Sequence, residues 1–69
     1  EVEGILVTEV KDSSKAEKIG FREGDIIVQV EQMRISSLKD LTTAFKENSK
    51  NKKRIIINRQ NFRTILVAP

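Results

Sequence analysis

Asp25, Asp40 and the run from Lys50 to Arg54 are the residues whose types and spacing could support chemistry in this 69-residue chain. Carboxylates can act as general acids and bases, but no partner acid, base or nucleophile lies beside either aspartate in the sequence. The chain contains no histidine and no cysteine, which excludes a nucleophile–histidine pair and a zinc site built from those residues. We therefore expect no catalytic residue, no metal ion and no cofactor in this chain.

Charge is distributed unevenly along the chain. Residues 1–45 contain six Lys/Arg and nine Asp/Glu, a net charge of −3, whereas residues 46–69 contain seven and one, a net charge of +6. The run Lys50-Asn51-Lys52-Lys53-Arg54 could bind phosphate groups or another anionic surface. The alternative is a solvated loop leading into an edge strand, where lysines discourage unwanted pairing. Because no Trp or Tyr is present to stack on bases, we favour the solvated loop and predict no nucleic-acid partner.

The stretch from Ala16 to Val30 combines a turn of helix, two glycines and a strand. Gly20 is predicted to end the helix, because glycine adopts a positive φ without steric cost. Gly24 is predicted to form the turn that directs Asp25 into the strand. Asp25 would then accept hydrogen bonds from backbone N–H groups of the preceding loop, which is a structural rather than a catalytic role.

Two strands are predicted in the first half of the chain. Gly4–Val10 is rich in β-branched residues and apolar on both faces at its start, which favours a central strand. The second strand, residues 25–30, is predicted to place Ile26, Val28 and Val30 on one face. Residues 33–35 could add a short strand after it.

Two helices are also predicted. Residues 15–19 form barely more than one turn, which Ser13 or Ser14 can cap through its hydroxyl group. Ser37 is predicted to cap a longer helix, with Asp40 at the acidic position of a capping box. Its apolar stripe consists of Leu38, Leu41, Ala44 and Phe45.

The chain is predicted to close with a hairpin. Strands at residues 54–59 and 63–67 are joined by Gln60-Asn61-Phe62, in which Asn61 is the residue best able to adopt a left-handed conformation. Four strands, a turn of helix and a longer helix predict a mainly β, α+β domain. Its architecture would be a small, partly open β-barrel or sandwich with one helix covering an opening.

The order of these segments resembles a bacterial PDZ domain over nearly the whole chain. Lys15 stands where proline is usual in that family, and Val30-Glu31-Gln32 replaces its usual V-N-G. The matching segments are Gly4–Val10 (G-hydrophobic-hydrophobic-V-x-x-V), Ser13–Phe21 (S-P-A-x-x-A-G-L), Arg22–Ile27 (x-x-G-D-x-I) and Ile35–Leu41 (V-x-S-x-x-D-L).

The pattern is most similar to the second, C-terminal PDZ domain of HtrA/Deg-type periplasmic serine proteases. This resemblance implies a non-catalytic domain with a catalytic domain upstream, located in the periplasm and serving protein quality control or chaperone activity. Its partners would be hydrophobic peptide C-termini, unfolded segments, or other domains and subunits during oligomer assembly. C-terminal processing proteases, site-2 proteases and secretion subunits also carry PDZ domains and remain alternatives.

The resemblance also implies which residues contact a peptide. PDZ domains bind an extended peptide between a strand and the long helix, and the helix positions that face this groove correspond to Leu38, Thr42 and Phe45. Leu38 stands where many animal PDZ domains have a histidine that recognises a ligand hydroxyl group, so an apolar preference is implied. Phe45 could equally be a core residue.

The family's carboxylate-binding loop and peptide-pairing strand precede the strand that begins here at Gly4. Only Glu1-Val2-Glu3 stands ahead of it, so we expect residues 1–69 to be a single PDZ domain truncated at its N-terminus. Such a chain would offer half of the groove. No apolar run reaches the roughly 20 residues of a membrane-spanning helix, and no membrane span is predicted.

Overall fold

The computed structural model describes residues 4–69, which form one five-stranded sheet and two helices. Every strand pairing is antiparallel, and the sheet order is β1-β2-β4-β5, with β3 beside β2. This mainly β arrangement confirms the predicted α+β fold class. The elements are β1 (Ile5–Leu6), α1 (Lys15–Ile19), β2 (Ile26–Val30), β3 (Met33–Arg34), α2 (Leu38–Glu47), β4 (Lys53–Arg59) and β5 (Phe62–Ala68).

The core lies between the inner face of the sheet and α2. Val30 of β2 is paired with Ile55 of β4, and both side chains are completely buried. Ala44 is the buried residue of α2 and belongs to the same apolar cluster. Removing these side chains from water supplies the main stabilising term of so small a domain.

The first strand is shorter and more exposed than predicted. Only Ile5 and Leu6 pair with β2, β1 lies at an edge of the described sheet, and Leu6 is 57% exposed. Beyond Leu6 the chain pairs with a loop, since the Val7 N–H donates to the Asp25 carbonyl and the Gly24 N–H donates to the Val7 carbonyl, both at 2.8 Å. The predicted strand Gly4–Val10 is therefore confirmed only over Ile5–Leu6. Its predicted central position stays a prediction, because residues 1–3 lie outside the described part of the chain.

The second strand contains a β-bulge that reverses part of its predicted alternation. Ile27 is opposite Ile57, but Gln29 is opposite Ile56, so Val28 is the extra residue. Ile27 and Val30 are buried, whereas Ile26 and Val28 are half-buried. The prediction that Ile26, Val28 and Val30 share one face was therefore wrong.

The hairpin turn consists of two residues rather than three. Gln60 and Asn61 have φ values of 53° and 70°, and Phe62 already belongs to β5. Positive φ at both central positions is the type I′ geometry that matches the twist of paired strands. The left-handed conformation of Asn61 is confirmed, and Gln60 adopts the same region.

Both predicted helix starts are confirmed. The hydroxyl oxygen of Ser14 accepts a hydrogen bond from the Glu17 N–H at 3.2 Å, which selects Ser14 over Ser13 as the cap of α1. Ser37 accepts the Asp40 N–H at 3.3 Å at the start of α2. No helix formed by residues 4–69 is long and apolar enough to cross a membrane.

Candidate functional site

Helix α2 places the three predicted groove residues on one side. At about 100° per residue, Leu38, Thr42 and Phe45 fall within roughly 60° of arc around the helix axis. Ala44 lies about 120° from Leu38 by the same geometry, and it is the residue turned fully into the core. One side of α2 therefore anchors the helix, while the adjacent side presents the predicted site residues.

Leu38 and Thr42 form the exposed part of this surface. Leu38, in the first turn after the Ser37 cap, is 69% exposed, and Thr42 is exposed one turn later. The Thr42 hydroxyl group donates a hydrogen bond to the Leu38 carbonyl oxygen at 3.0 Å. Because its hydroxyl proton is used within the helix, Thr42 offers a ligand no free donor, and the surface is suited to apolar contact.

Phe45 contributes to both the core and the surface. It is half-buried, and its side chain packs against the buried apolar cluster. The ammonium group of Lys53 lies 5.8 Å from the centre of its ring, within the range of a cation–π interaction. The core interpretation and the groove interpretation of Phe45 are therefore compatible.

Lys53 departs from the prediction for the basic run. It is buried, and its ammonium group donates to the carbonyl oxygens of Asn51 at 3.0 Å and Pro69 at 2.9 Å. It also begins β4, which has neighbours on both sides, so the run leads into a central strand rather than an edge strand. Lys50 and Lys52 are exposed, as a solvated loop requires.

The opposite wall of the predicted groove would be formed by residues upstream of Gly4. Glu1-Val2-Glu3 lies outside the described residues, and β1 pairs only with β2 in the part of the chain that is described. The described part of the site is thus the α2 wall.

Asp25 is a buried residue in the loop that joins α1 to β2. Its side chain is 1% exposed, and one carboxylate oxygen accepts the Arg22 N–H at 2.8 Å, the type of hydrogen bond expected from the sequence. Arg59 donates to both carboxylate oxygens, from Nε and Nη2, at 2.9 Å each. The same Nη2 donates to the Gly20 carbonyl oxygen at 2.8 Å, so Arg59 ties the end of α1 to the sheet.

Electrostatics support this structural role for Asp25. Hydrogen bonds from Arg59 hold the pKa of the Asp25 carboxyl group below its ordinary value, although burial acts in the opposite direction. The same pair raises the pKa of Arg59. A carboxylate that stays ionised and is fully hydrogen-bonded is poorly suited to exchange protons near neutral pH. Arg59 was not identified from the sequence, because it lies 34 residues from Asp25 and its role depends on the strand register.

The two glycines shape the backbone around Asp25. Gly20 has φ 115°, its N–H donates to the Glu17 carbonyl, and the Phe21 N–H donates to the Ala16 carbonyl. This pair of hydrogen bonds is the Schellman motif that ends many helices. Gly24 has φ 94° in the turn before Asp25. Within residues 4–69, no group of three or more His, Cys, Asp or Glu side chains is arranged to hold a metal ion.

Comparison with known families agrees with this geometry. A family model described as PDZ domain matches residues 6–59, a range that includes both helices, the turn before Asp25 and all three groove residues. The search of curated proteins gives no match. PDZ domains recognise extended peptides through a sheet edge and adjoining side-chain pockets. The chain therefore belongs to the PDZ domain family and is a module for peptide or protein interaction.

Proposed function

We propose that this chain is a non-catalytic PDZ domain of an HtrA-like serine protease, which captures hydrophobic peptide C-termini or unfolded segments along α2. The observation that carries the proposal is the exposure of Leu38, an apolar residue that is 69% exposed on the same side of α2 as Thr42 and Phe45. Core packing does not account for a leucine at this position. A ligand side chain would cover it.

The spacing of the groove residues matches an extended peptide. Leu38 and Thr42 are four residues apart, which is about 6 Å along the helix axis. Side chains on the same face of a strand repeat every two residues, at about 6.6 Å. Successive side chains on one face of a bound strand can therefore each contact one groove residue. The backbone of the peptide would pair with a strand that, in our proposal, comes from residues upstream of Gly4.

The chemistry of the groove favours an apolar ligand. Leu38 and Phe45 gain from burial, at roughly 1.5–3 kcal/mol for a fully covered side chain of this size. Thr42 adds no free hydroxyl donor, because it already bonds to the Leu38 carbonyl. Loss of translational and rotational freedom offsets much of the gain, so we expect modest affinity and a preference for apolar over polar side chains.

The wider setting of the domain rests on the resemblance of its motifs. We propose a periplasmic parent protein whose catalytic domain lies upstream and whose subunits assemble partly through such domains. Processing proteases, site-2 proteases and secretion subunits are the competing parents. The parent reading frame decides among them, since an upstream domain with a Ser-His-Asp triad supports the HtrA-like assignment and a different neighbouring domain contradicts it.

A peptide titration tests the groove. The protein should include the upstream strand and loop of its parent, and it should be titrated with a peptide ending in apolar residues while backbone amides are followed by NMR. We expect shifts concentrated in residues 38–45, and weaker shifts with a matched peptide that carries serine at the apolar positions. If neither peptide perturbs residues 38–45, the groove assignment is wrong and subunit assembly becomes the better account.

A further inference from the structure

The outer edge of β5 carries unpaired backbone groups. Because the hairpin has a two-residue turn, Arg59 and Phe62 form its closing hydrogen-bonded pair. Hydrogen-bonded and non-bonded pairs alternate along an antiparallel ladder, so every second residue of β5 directs its N–H and C=O away from β4. These residues are Arg63, Ile65 and Val67. No strand among residues 4–69 pairs with this edge.

The edge lacks most of the features that normally prevent pairing. Its register with β4 is continuous over all seven residues, without a bulge, and Arg63 is the one charged residue in the strand. Ile65 is 58% exposed, Phe62 is 74% exposed, and Val67 is also exposed. A long, regular and apolar edge of this kind is a template for another strand.

We propose that β5 pairs antiparallel with β5 of a second copy of this chain, around a two-fold axis at Ile65. The strand runs from Phe62 to Ala68, so Ile65 is its midpoint and this register overlaps the full length. Ile65 then faces Ile65 of the second copy, and Arg63 faces Val67. All three outward-facing residues of each strand are paired, which forms six new backbone hydrogen bonds and one continuous sheet.

Side-chain complementarity favours a second copy over an unrelated strand. In this register the large, exposed Phe62 is opposite the small Ala68 of the other copy, and this large–small pair occurs twice. The two Arg63 side chains are separated by four residue positions, roughly 13 Å, so like charges do not face each other. The two Ile65 side chains cover each other at the axis.

This surface is separate from the peptide groove. β5 begins at Phe62, beyond the residues matched by the PDZ family model, and none of the groove residues lies on it. The proposal therefore does not depend on peptide binding by α2. It assigns this strand to assembly.

Single cysteines test both the contact and its register, because the natural chain contains no cysteine. Ile65→Cys places two thiols across a hydrogen-bonded pair whose Cα atoms are about 5.5 Å apart, within the range for a disulfide. Val67→Cys is the matched control on the same strand, since its two copies would be roughly 13 Å apart. Under mild oxidation we expect a covalent dimer from Ile65→Cys and none from Val67→Cys. Equal cross-linking of the two variants, or cross-linking of neither, would overturn the proposal.

Sedimentation of the unmodified chain and two lysine variants tests the dimer without cysteine chemistry. The unmodified chain should reach twice its monomer mass as concentration rises, whereas Ile65→Lys opposes two charges at the axis and should weaken the dimer about tenfold or more. Leu6→Lys is the control, because Leu6 is 57% exposed at the other edge of the sheet. The proposal is overturned if the chain stays monomeric at every concentration. It is also overturned if the backbone amide signals of β5 shift only when an acidic extended peptide is added.

Discussion

Two regions of this domain differ in whether their side chains are buried and bonded within the domain or exposed to water. The first, which we call the hub, consists of Gly20, Gly24, Asp25 and Arg59. In the hub a buried carboxylate accepts three hydrogen bonds, and the guanidinium group that faces it also bonds to a helix end. On the groove side of α2, by contrast, the apolar side chain of Leu38 is exposed to water.

The difference separates what stabilises the domain from what can bind. A buried charge is tolerated only when it is paired and hydrogen-bonded, and both carboxylate oxygens of Asp25 already have their partners within the domain. Contact between an apolar side chain and water is unfavourable, so a partner that covers the α2 surface lowers the free energy. Two of the four motifs that carry the family resemblance, Ser13–Phe21 and Arg22–Ile27, contain hub residues, whereas the proposed binding residues lie outside the hub.

The largest expected effect comes from breaking the hub. Asp25→Asn leaves the Arg59 guanidinium group partly buried without its counter-ion, and removing one partner of a buried pair costs about 3–5 kcal/mol. Since Arg59 keeps 23% of its side-chain exposure, we expect a loss near the lower figure, measured by urea unfolding followed by circular dichroism.

A double variant checks that the loss comes from the pair itself. Asp25→Asn combined with Arg59→Met should lose less stability than the two single variants together, because neither charge is then left alone. A single-variant loss below about 1 kcal/mol, the range of exposed ion pairs, would show that the hub is not a stabilising centre.

Lowering the pH should remove part of the stability that the Asp25–Arg59 pair provides. The pKa of Asp25 is lowered in the folded chain by hydrogen bonds from Arg59, so its contribution is fully present above the unfolded pKa and is lost as pH falls through the folded pKa. Stability should therefore decline below about pH 4. The pKa of Asp40 is also lowered, by hydrogen bonds from Ser36, and acts in the same direction. Thermal melts should show a flatter acid limb for Asp25→Asn, and an unchanged limb would contradict the assignment.

Replacing either glycine of the hub by alanine should cost less stability than Asp25→Asn, and the two losses should differ. Alanine at a positive φ costs roughly 1–2 kcal/mol, and both positions require such a φ. A Cβ atom at Gly20 would also lie 3.3 Å from a methyl carbon of Leu66, whereas one at Gly24 would meet nothing within 4 Å. Gly20→Ala should therefore be the more destabilising of the two in chemical denaturation. The reverse order would mean that packing at Leu66 is not limiting.

The sequence predicted the local features of the hub but not its long-range partner. A glycine at a helix end and an aspartate before a strand are signals within a few residues, and both α1 and its cap were predicted. Arg59 reaches Asp25 only because β4 pairs with β2 in a register that places Asn58 opposite Ile26. Such pairing across 34 residues has no local signal.

The same limit explains the errors in the sheet. Ile26 and Val28 were assigned to the wrong face because a single bulge reverses the alternation, and no residue type marks it. Gly4–Val10 was predicted as one long strand because its β-branched composition gives no sign that the backbone beyond Leu6 bonds to a loop. The groove residues Leu38, Thr42 and Phe45 were implied by the family resemblance, and they share one side of α2 because the helix forms where it was predicted.

The smallest effect on stability should come from Leu38, and it sharpens the contrast between the regions. Leu38→Gln keeps the length and helix propensity of the side chain, and at 69% exposure it should change the free energy of unfolding by no more than about 0.5 kcal/mol. The matched control is Leu41→Gln, one turn later, where the leucine packs against the core and the loss should be clearly larger. If Leu38→Gln leaves stability intact and weakens apolar peptide binding by about tenfold, its side chain serves the ligand. If Leu38→Gln destabilises the domain as much as Leu41→Gln, Leu38 belongs to the core. The groove side of α2 would then stabilise the domain, as the hub does.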